Sequence, residues 1–125
     1  MEKQIINAEA AFAAVGPYSH AVMAGNMLFT SGQIGADPAT GQLADGVEAQ
    51  ARQAFANLGA ILEEAGFGFE HIVKTTVFLK SMSDFAAVNE IYAGHFTGDF
   101  PARSCVAAAE LPIGALYEIE AVAVK

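Results

Sequence analysis

The 125-residue chain lacks the features on which several classes of protein depend. Its single cysteine, Cys105, leaves no possibility of an internal disulfide. Only six side chains are basic against 14 acidic ones, which gives a net charge of −8, and the basic ones are scattered along the chain. Proteins that bind nucleic acids through phosphate contacts usually carry a basic stripe, so this composition disfavours a nucleic-acid partner.

Long apolar runs are also missing. No window approaches the roughly 18 apolar residues needed to span a bilayer, and the opening MEKQIINAEA has no apolar core of signal-peptide length. The three histidines, His20, His71 and His95, are not spaced like metal ligands relative to one another or to the cysteine. We therefore expect a soluble cytoplasmic protein with no metal site and no membrane partner.

What the chain has in excess is apolar side chains, many of them alanine, which make up 54% of the residues. A domain of this length has little interior, and such an excess is often covered by sister subunits. We expect a single domain over residues 1–125 that assembles into a homo-oligomer.

The first half of the chain predicts strands followed by a helix. KQIIN and AVMAGNMLFTSGQI have strand composition, with Gly25-Asn26 as a turn between apolar runs. Asp45 and Glu48 have the spacing of a capping box, and Gly66 is a plausible end of the helix. The apolar face predicted for this helix consists of Ala51, Phe55, Leu58, Leu62 and Ala65.

The second half predicts a strand, a second helix and two final strands. HIVKTTVFLK alternates, with Val73, Thr75, Val77 and Leu79 expected on one side. The second helix is expected to begin at Ser83-Asp84, with an apolar stripe that includes Tyr92. ARSCVAAAEL and LYEIEAVAV are the last strands. This order of elements favours an α+β fold in which two helices pack on one face of a mixed sheet.

Arg103 raises a chemical question, because it stands in the alanine-rich stretch FPARSCVAAAELP, which is predicted as a buried strand. A desolvated guanidinium needs an anion. Glu118 and Glu120 share one face of the last strand, and the short connection predicts that this strand pairs antiparallel with the Arg103 strand. Either Arg103 forms a structural ion pair with a glutamate, or it binds a substrate carboxylate while a nearby glutamate handles protons.

Other candidate residues carry weaker signals. Cys105 has no base beside it in sequence, so it is interpreted as a small buried hydrophobe rather than a nucleophile. Tyr18, after the Gly-Pro turn of GPYSHA, is equally compatible with ring packing and with ligand contact. TSGQIG, which contains Ser31, could hold a carboxylate through backbone N–H groups but is not a phosphate loop. Asn89 stands in an apolar helical face and is a candidate for a satisfied polar contact.

Four stretches together resemble the reactive intermediate deaminase family, also called RidA or YjgF-like proteins. They are GPYSHA, LFTSGQIGADPATGQL, VKTTVFLKSMSDFAAVNEIYAGHF, and PARSCVAAAELP with the following YEIEAVA. They occur in the family's order from about residue 5 to residue 124, which is nearly the whole chain. The block PARSCV…LP…EIEA is highly specific.

The resemblance implies a chorismate-mutase-like fold and a homotrimer with its sites between subunits. The implied activity is hydrolysis of 2-imino acids, such as 2-iminobutanoate and 2-iminopropanoate, to 2-keto acids and ammonia without metal or organic cofactor. Matched to this chain, the carboxylate-binding arginine is Arg103 and the water-orienting glutamate is Glu118. The substrate-binding residues implied by the match are Tyr18, Ser31, Asn89 and Cys105.

Two departures from the family pattern and three alternative functions remain open. Many family members have glutamine where this chain has His20, a difference that could alter the pocket beside Tyr18. Many also have a charged PKD-like turn where this chain has PIG.

A non-catalytic module that binds a small carboxylate would keep Arg103 and tolerate loss of Glu118. A ribonuclease or translation inhibitor is disfavoured by the net charge of −8. A holdase-like role through exposed apolar surface is a more distant alternative.

Overall fold

Within residues 2–125, which the computed structural model describes, seven strands form one sheet beside two helices. The strands are β1 (Lys3–Ile6), β2 (Ala21–Ala24), β3 (Met27–Thr30), β4 (Gln33–Ile34), β5 (Ile72–Leu79), β6 (Ala102–Ala107) and β7 (Tyr117–Val124). The helices are α1 (Val47–Glu64) and α2 (Phe85–Ala93), and short 3-10 turns lie at Phe69–His71, Met82–Asp84 and Pro112–Gly114. The predicted order of elements is confirmed.

The sheet is mixed, as predicted, and its strand order is β1-β2-β3-β7-β5-β6, with β4 also beside β7. Only the β5–β6 pair is parallel, and every other pair is antiparallel. Parallel neighbours need a crossover connection, which α2 supplies between β5 and β6. Strands β3 and β4 lie along the same side of β7, so residues 31 and 32 interrupt an otherwise continuous edge of pairing.

The core lies between the two helices and one face of the sheet. Ala51, Phe55, Leu58 and Leu62 of α1 are buried, as the periodicity predicts. They join buried side chains of β3, β5 and β7 and of α2 in one cluster. Burial of this shared apolar face holds both helices on the same side of the sheet. The two-helix α+β layer predicted from the sequence is therefore confirmed.

The ends of α1 bear out one prediction and correct another. Gly66, at φ 82°, follows the helix in a left-handed conformation, and its N–H bonds to Glu63 O while Phe67 N–H bonds to Leu62 O. This is a Schellman ending, which favours glycine. The Asp45 capping box is wrong, because Gly46 is the N-cap and no side chain caps the helix. The chain enters the helix through Gly46 at φ 89°, one residue beyond the predicted position.

Strand β5 departs from simple alternation at its start. Thr75, Val77 and Leu79 are buried on one face as predicted, but Val73 is exposed. The register between β5 and β7 shifts between Ile72 and Lys74, as in a β-bulge. The bulge inserts one residue, so Ile72 instead of Val73 packs into the core.

The predicted pairing of the last two strands is wrong. Strand β5 lies between β6 and β7, pairing parallel with β6 and antiparallel with β7. Thr75 is aligned with Arg103, and Phe78 is aligned with Glu118. Residues aligned across neighbouring strands share a face, and faces alternate along each strand. Arg103 therefore faces the helices, whereas Glu118 faces the opposite, helix-free side.

Candidate functional site

Arg103 is held by α2 rather than by a glutamate. Its guanidinium carbon lies 4.7 Å from the ring centroid of Tyr92 and 5.4 Å from that of Phe85. Its Nη1 donates a hydrogen bond to Oδ1 of Asn89 at 2.8 Å. The guanidinium therefore lies against two aromatic rings and is hydrogen-bonded to one side-chain amide, all three on α2. The expectation that Asn89 makes a satisfied polar contact is confirmed.

Arg103 forms no ion pair within residues 2–125, so the structural ion pair expected as one alternative is not present. The expected buried strand is also wrong, since β6 is the edge of the sheet and four of its six residues are exposed. A guanidinium has five N–H donors, and Asn89 uses one of them. The remaining donors are available to a planar anion such as a carboxylate.

A cavity of about 350 Å³ opens beside the guanidinium. Its walls are formed by the side of α2 and by the segment that leads into β6. The lining residues are Asn89, Tyr92, Ala93, Phe100, Pro101 and Arg103. One cation among mainly apolar walls is the composition expected of a site for a small organic anion. We refer to this cavity as the arginine pocket.

Cys105 lies two residues beyond Arg103 and faces the same side of the sheet. It is half-buried and packs against the core. Burial raises the pKa of its thiol, and the positive charge of Arg103 only partly opposes this effect. The thiol therefore stays protonated near neutral pH, and the protonated form is a poor nucleophile. This agrees with its interpretation as a small apolar residue.

Glu118 borders a second, separate depression on the chain, which we call the glutamate groove. The groove is lined by Phe12, Val15, Tyr18, Gly32, Gln33, Ile34, Pro112 and Glu118. Burial raises the pKa of the Glu118 carboxyl, and the nearby Glu120 carboxylate raises it further. A carboxyl with a raised pKa exchanges protons more readily near neutral pH than an exposed glutamate does. The structure thus brings Tyr18 to Glu118 and leaves Arg103 elsewhere.

Gly32 explains how Glu118 fits against the break between β3 and β4. A Cβ atom at this position would overlap the Glu118 carboxylate, so any other residue would displace that side chain. The neighbouring Ser31 Oγ donates to the carbonyl oxygen of Ser19 at 2.6 Å, which ties the end of β3 to the Tyr18 loop. Tyr18 is 44% exposed, and its hydroxyl accepts from Val15 N–H at 3.3 Å. In this chain, the Ser31 hydroxyl organises the loop around the groove.

His20 supports this groove from behind. It is buried, its Nδ1 accepts from Ala8 N–H at 3.0 Å, and its Nε2 lies 2.8 Å from the carbonyl oxygen of Phe12, to which the N–H form donates. Phe12 lines the groove, and its own N–H bonds to Oδ1 of the fully buried Asn57. His20 therefore acts on the surroundings of Tyr18 through the backbone of residues 8–12.

Two residues that shape the depressions, Tyr92 and Asn57, were not among the candidates identified from the sequence. Tyr92 was predicted only as part of an apolar stripe, although its face contacts the guanidinium. Asn57 also stands on an apolar helical face, and its amide nitrogen donates to the carbonyl oxygens of Ile34 and Ala36 at 3.0 Å each. A polar or hydroxyl-bearing residue inside an apolar stripe is a signal that could have identified both.

Within residues 2–125, neither a cluster of metal ligands nor a candidate membrane-spanning helix is found. No group of three or more histidine, cysteine, aspartate or glutamate side chains is placed where it could hold a metal ion. In the same residues, no helix combines the length and the apolar character needed to cross a bilayer.

The fold and its two depressions define a small α+β protein with one cavity beside Arg103 and a separate groove that carries the Glu118 carboxyl. The family model described as endoribonuclease L-PSP matches residues 8–125. A RutC family protein of Synechocystis is 54% identical over 99% of this chain and 98% of its own. The 2-iminobutanoate/2-iminopropanoate deaminase of Salmonella typhimurium is 53% identical over 96% of each chain. The crystal structure of RidA from a Psychrobacter species superposes with a TM-score of 0.96 at 44% identity, covering 98% of this chain and 99% of that one.

The chain belongs to the RidA/YjgF family, the family of the endoribonuclease L-PSP model. The resemblance drawn from the four sequence stretches is thereby confirmed, as is the fold that it implied.

Proposed function

We propose that this protein hydrolyses 2-imino acids to 2-keto acids and ammonia. The observation that carries the proposal is Arg103, whose remaining donors face a cavity and bind no carboxylate within residues 2–125. The deaminase name of the Salmonella relative supports the same reaction. We propose 2-iminobutanoate and 2-iminopropanoate as substrates.

Hydrolysis of a protonated imine requires the protein mainly to bind the substrate and to deliver a water molecule. Arg103 binds the substrate carboxylate through two parallel N–H···O bonds and so fixes the position of the adjacent imine carbon. A protonated imine is already electrophilic at that carbon. Glu118 holds a water molecule, accepts its proton as the C–O bond forms, and returns a proton to the departing nitrogen. Water adds to give a carbinolamine. As the C–N bond breaks and ammonia leaves, the C=O bond forms and the hydroxyl proton passes through the Glu118 carboxylate to the ammonia, with no change of oxidation state.

We propose that the site is shared between two copies of the chain, which is supported by the position of Arg103 and Glu118 on opposite faces of one sheet. The helix-free face exposes large apolar side chains, among them Phe29 at 44% and Val106 at 47%. Exposed apolar patches of this kind mark protein interfaces. We propose a homotrimer in which the arginine pocket of one subunit meets the glutamate groove of its neighbour, with Tyr18 and Ser31 contributed beside Glu118.

An imine-trapping assay tests this function directly. A dehydratase generates 2-iminobutanoate in the presence of semicarbazide, which traps the imine. If the protein hydrolyses the imine first, the yield of the trapped product falls. Arg103→Ala and Arg103→Lys should both abolish the effect, since lysine offers no planar fork. The chain provides a matched control in Arg52, its only other arginine, which lies on the outer surface of α1. Arg52→Lys should be fully active, and wild-type activity of Arg103→Lys would refute bidentate binding.

A non-catalytic carboxylate-binding module is the second candidate, because the arginine pocket by itself suffices to hold a carboxylate. Such a module would bind 2-oxobutanoate but leave the rate of imine trapping unchanged. The trapping assay therefore separates the two functions without any variant.

A further inference from the structure

Tyr92 lines the arginine pocket, where its ring contacts the guanidinium of Arg103, and it also packs into the core. Building on the proposed function, we propose that Tyr92 is a positioning residue that sets the plane of the Arg103 guanidinium, and that Thr75 fixes Tyr92 in turn. The substrate carboxylate then meets an arginine fork already oriented before binding.

The surroundings of Tyr92 leave its ring little freedom. The side chain is 5% exposed, and its ring packs against Phe96 at 4.9 Å and edge-on against Phe55 at 5.8 Å between centroids. The face that remains is covered by the Arg103 guanidinium at 4.7 Å. A ring confined by aromatic neighbours on several sides presents a fixed plane to the cation.

The hydroxyl of Tyr92 adds a second restraint. It lies 2.6 Å from Oγ1 of Thr75, a fully buried residue, and this is a short hydrogen bond between two neutral hydroxyls. Burial is the main influence on Tyr92 and raises its pKa, so the hydroxyl stays neutral. The bond connects α2 to strand β5, the neighbour of the Arg103 strand, at one defined point.

The register between β5 and β6 places the hydrogen bond between Thr75 and Tyr92 beside Arg103. Thr75 on β5 is directly aligned with Arg103 on β6. Tyr92 therefore contacts both members of one cross-strand pair, Thr75 through its hydroxyl and Arg103 through its ring. Any shift of α2 relative to the sheet would move the ring under the guanidinium. Asn89, one turn earlier on α2, holds Nη1 and would move together with the ring.

Preorientation matters because a bidentate contact needs both N–H···O bonds to align at once. A free guanidinium would lose rotational freedom when it binds a carboxylate, and that loss weakens binding. Tyr92 and Thr75 remove this freedom beforehand through their contacts with Arg103 and with each other. Their loss should therefore weaken carboxylate binding and leave the water-delivering half of the site unchanged.

The test measures binding of 2-oxobutanoate, the keto acid product, together with imine hydrolysis and thermal stability. Tyr92→Leu removes the ring and should raise the Kd about tenfold and KM similarly, with a smaller change in kcat. Thr75→Val keeps the shape of the side chain, removes the hydroxyl, and should raise the Kd about threefold. Tyr92→Phe retains the ring face and should stay closer to the wild type than Tyr92→Leu. Phe67→Leu is the control, since it removes a core ring with no contact to Arg103 and should leave the Kd unchanged.

A second measurement reports on the guanidinium without any ligand. The chain has two arginines, Arg52 and Arg103, so the arginine side-chain NMR spectrum contains two sets of signals that Arg103→Lys assigns. Arg103 should show slow rotation about its Cζ–Nε bond in the wild type, and rapid averaging like that of Arg52 in Tyr92→Leu.

The outcomes separate this inference from the proposed function. Unchanged Kd in Tyr92→Leu, or slow Arg103 rotation retained in that variant, overturns the positioning role. An unchanged Kd in Thr75→Val overturns the part assigned to Thr75. If wild type and Arg103→Ala bind 2-oxobutanoate equally, the proposed function is wrong, whereas the NMR comparison still decides the role of Tyr92. Should Tyr92→Leu fail to fold, Thr75→Val and Tyr92→Phe supply both measurements.

Discussion

Two inactive variants should restore activity to each other, because Arg103 and Glu118 lie on opposite faces of the sheet. In the proposed ring of subunits, each site would take its arginine from one chain and its glutamate from the next. Arg103→Ala keeps an intact glutamate groove, and Glu118→Gln keeps an intact arginine pocket. A mixed ring therefore contains some interfaces at which two intact halves meet.

The recovery has a definite expected size. When equal amounts of the two variants are unfolded and refolded together, half of the chains supply the arginine and half the glutamate at random. About one quarter of the sites then hold both residues, so the mixture should regain roughly 25% of the wild-type rate. Each variant alone should retain about 1% or less, since loss of a positioned acid–base group typically costs 100-fold or more.

A second mixture gives the matched control. The double variant Arg103→Ala/Glu118→Gln, refolded with an equal amount of wild type, should also show about one quarter of the activity if the site is shared. If both residues instead served a site within one chain, this mixture would show about one half, and the mixture of single variants would show none. That second pattern, in samples shown by mass spectrometry to contain mixed rings, would refute the shared site.

Four further predictions concern individual side chains. Glu118→Gln should lower kcat at least about 100-fold, against less than about tenfold for Glu120→Gln, and equal losses would show that the role is misassigned. Folding raises the pKa of the Glu118 carboxyl. Its contribution to the free energy of unfolding therefore falls as the pH rises from the unfolded-state pKa through the higher folded-state pKa. Glu118→Gln should therefore raise Tm more at pH 8 than at pH 4 by calorimetry. Cys105→Ser should keep most of the activity, and a covalent adduct on Cys105 during turnover would contradict the mechanism. Ile113 has φ 49°, which is strained for a β-branched residue, so Ile113→Asn should stabilise the fold by roughly 0.5–1 kcal/mol in denaturant titrations.

The parts of the fold that depend on local periodicity were predictable from the sequence. The buried face of α1 follows from the spacing of residues such as Phe55 and Leu58, and its end follows from Gly66. Alternation along β7 placed Glu118 and Glu120 on one face, and alternation along β6 placed Arg103 with Cys105. These features need only the geometry of a single element.

Strand neighbours were not predictable in the same way. The connection between β6 and β7 is short enough for a hairpin, yet β5 lies between them. That arrangement depends on the crossover through α2, whose packing energy is spread over many residues. The error mattered, because hairpin pairing would have put Arg103 and Glu118 within one chain's reach. The role of Tyr92 was hidden for a similar reason, since an aromatic in a helical stripe is usually core.

The acidic surface bears on the name of the family model, which describes an endoribonuclease. RNA binding draws on several cations placed along a phosphate backbone. Three of the lysines donate to separate parts of the chain. Lys74 donates to Ser104 Oγ, and Lys80 donates to a backbone carbonyl oxygen just after β6. Lys125 donates to a carbonyl oxygen just after α1. With a net charge of −8, these separated lysines form no continuous basic track. Arg103 is a single cation in a cavity of about 350 Å³, so the arginine pocket suits a small carboxylate better than a polyanion.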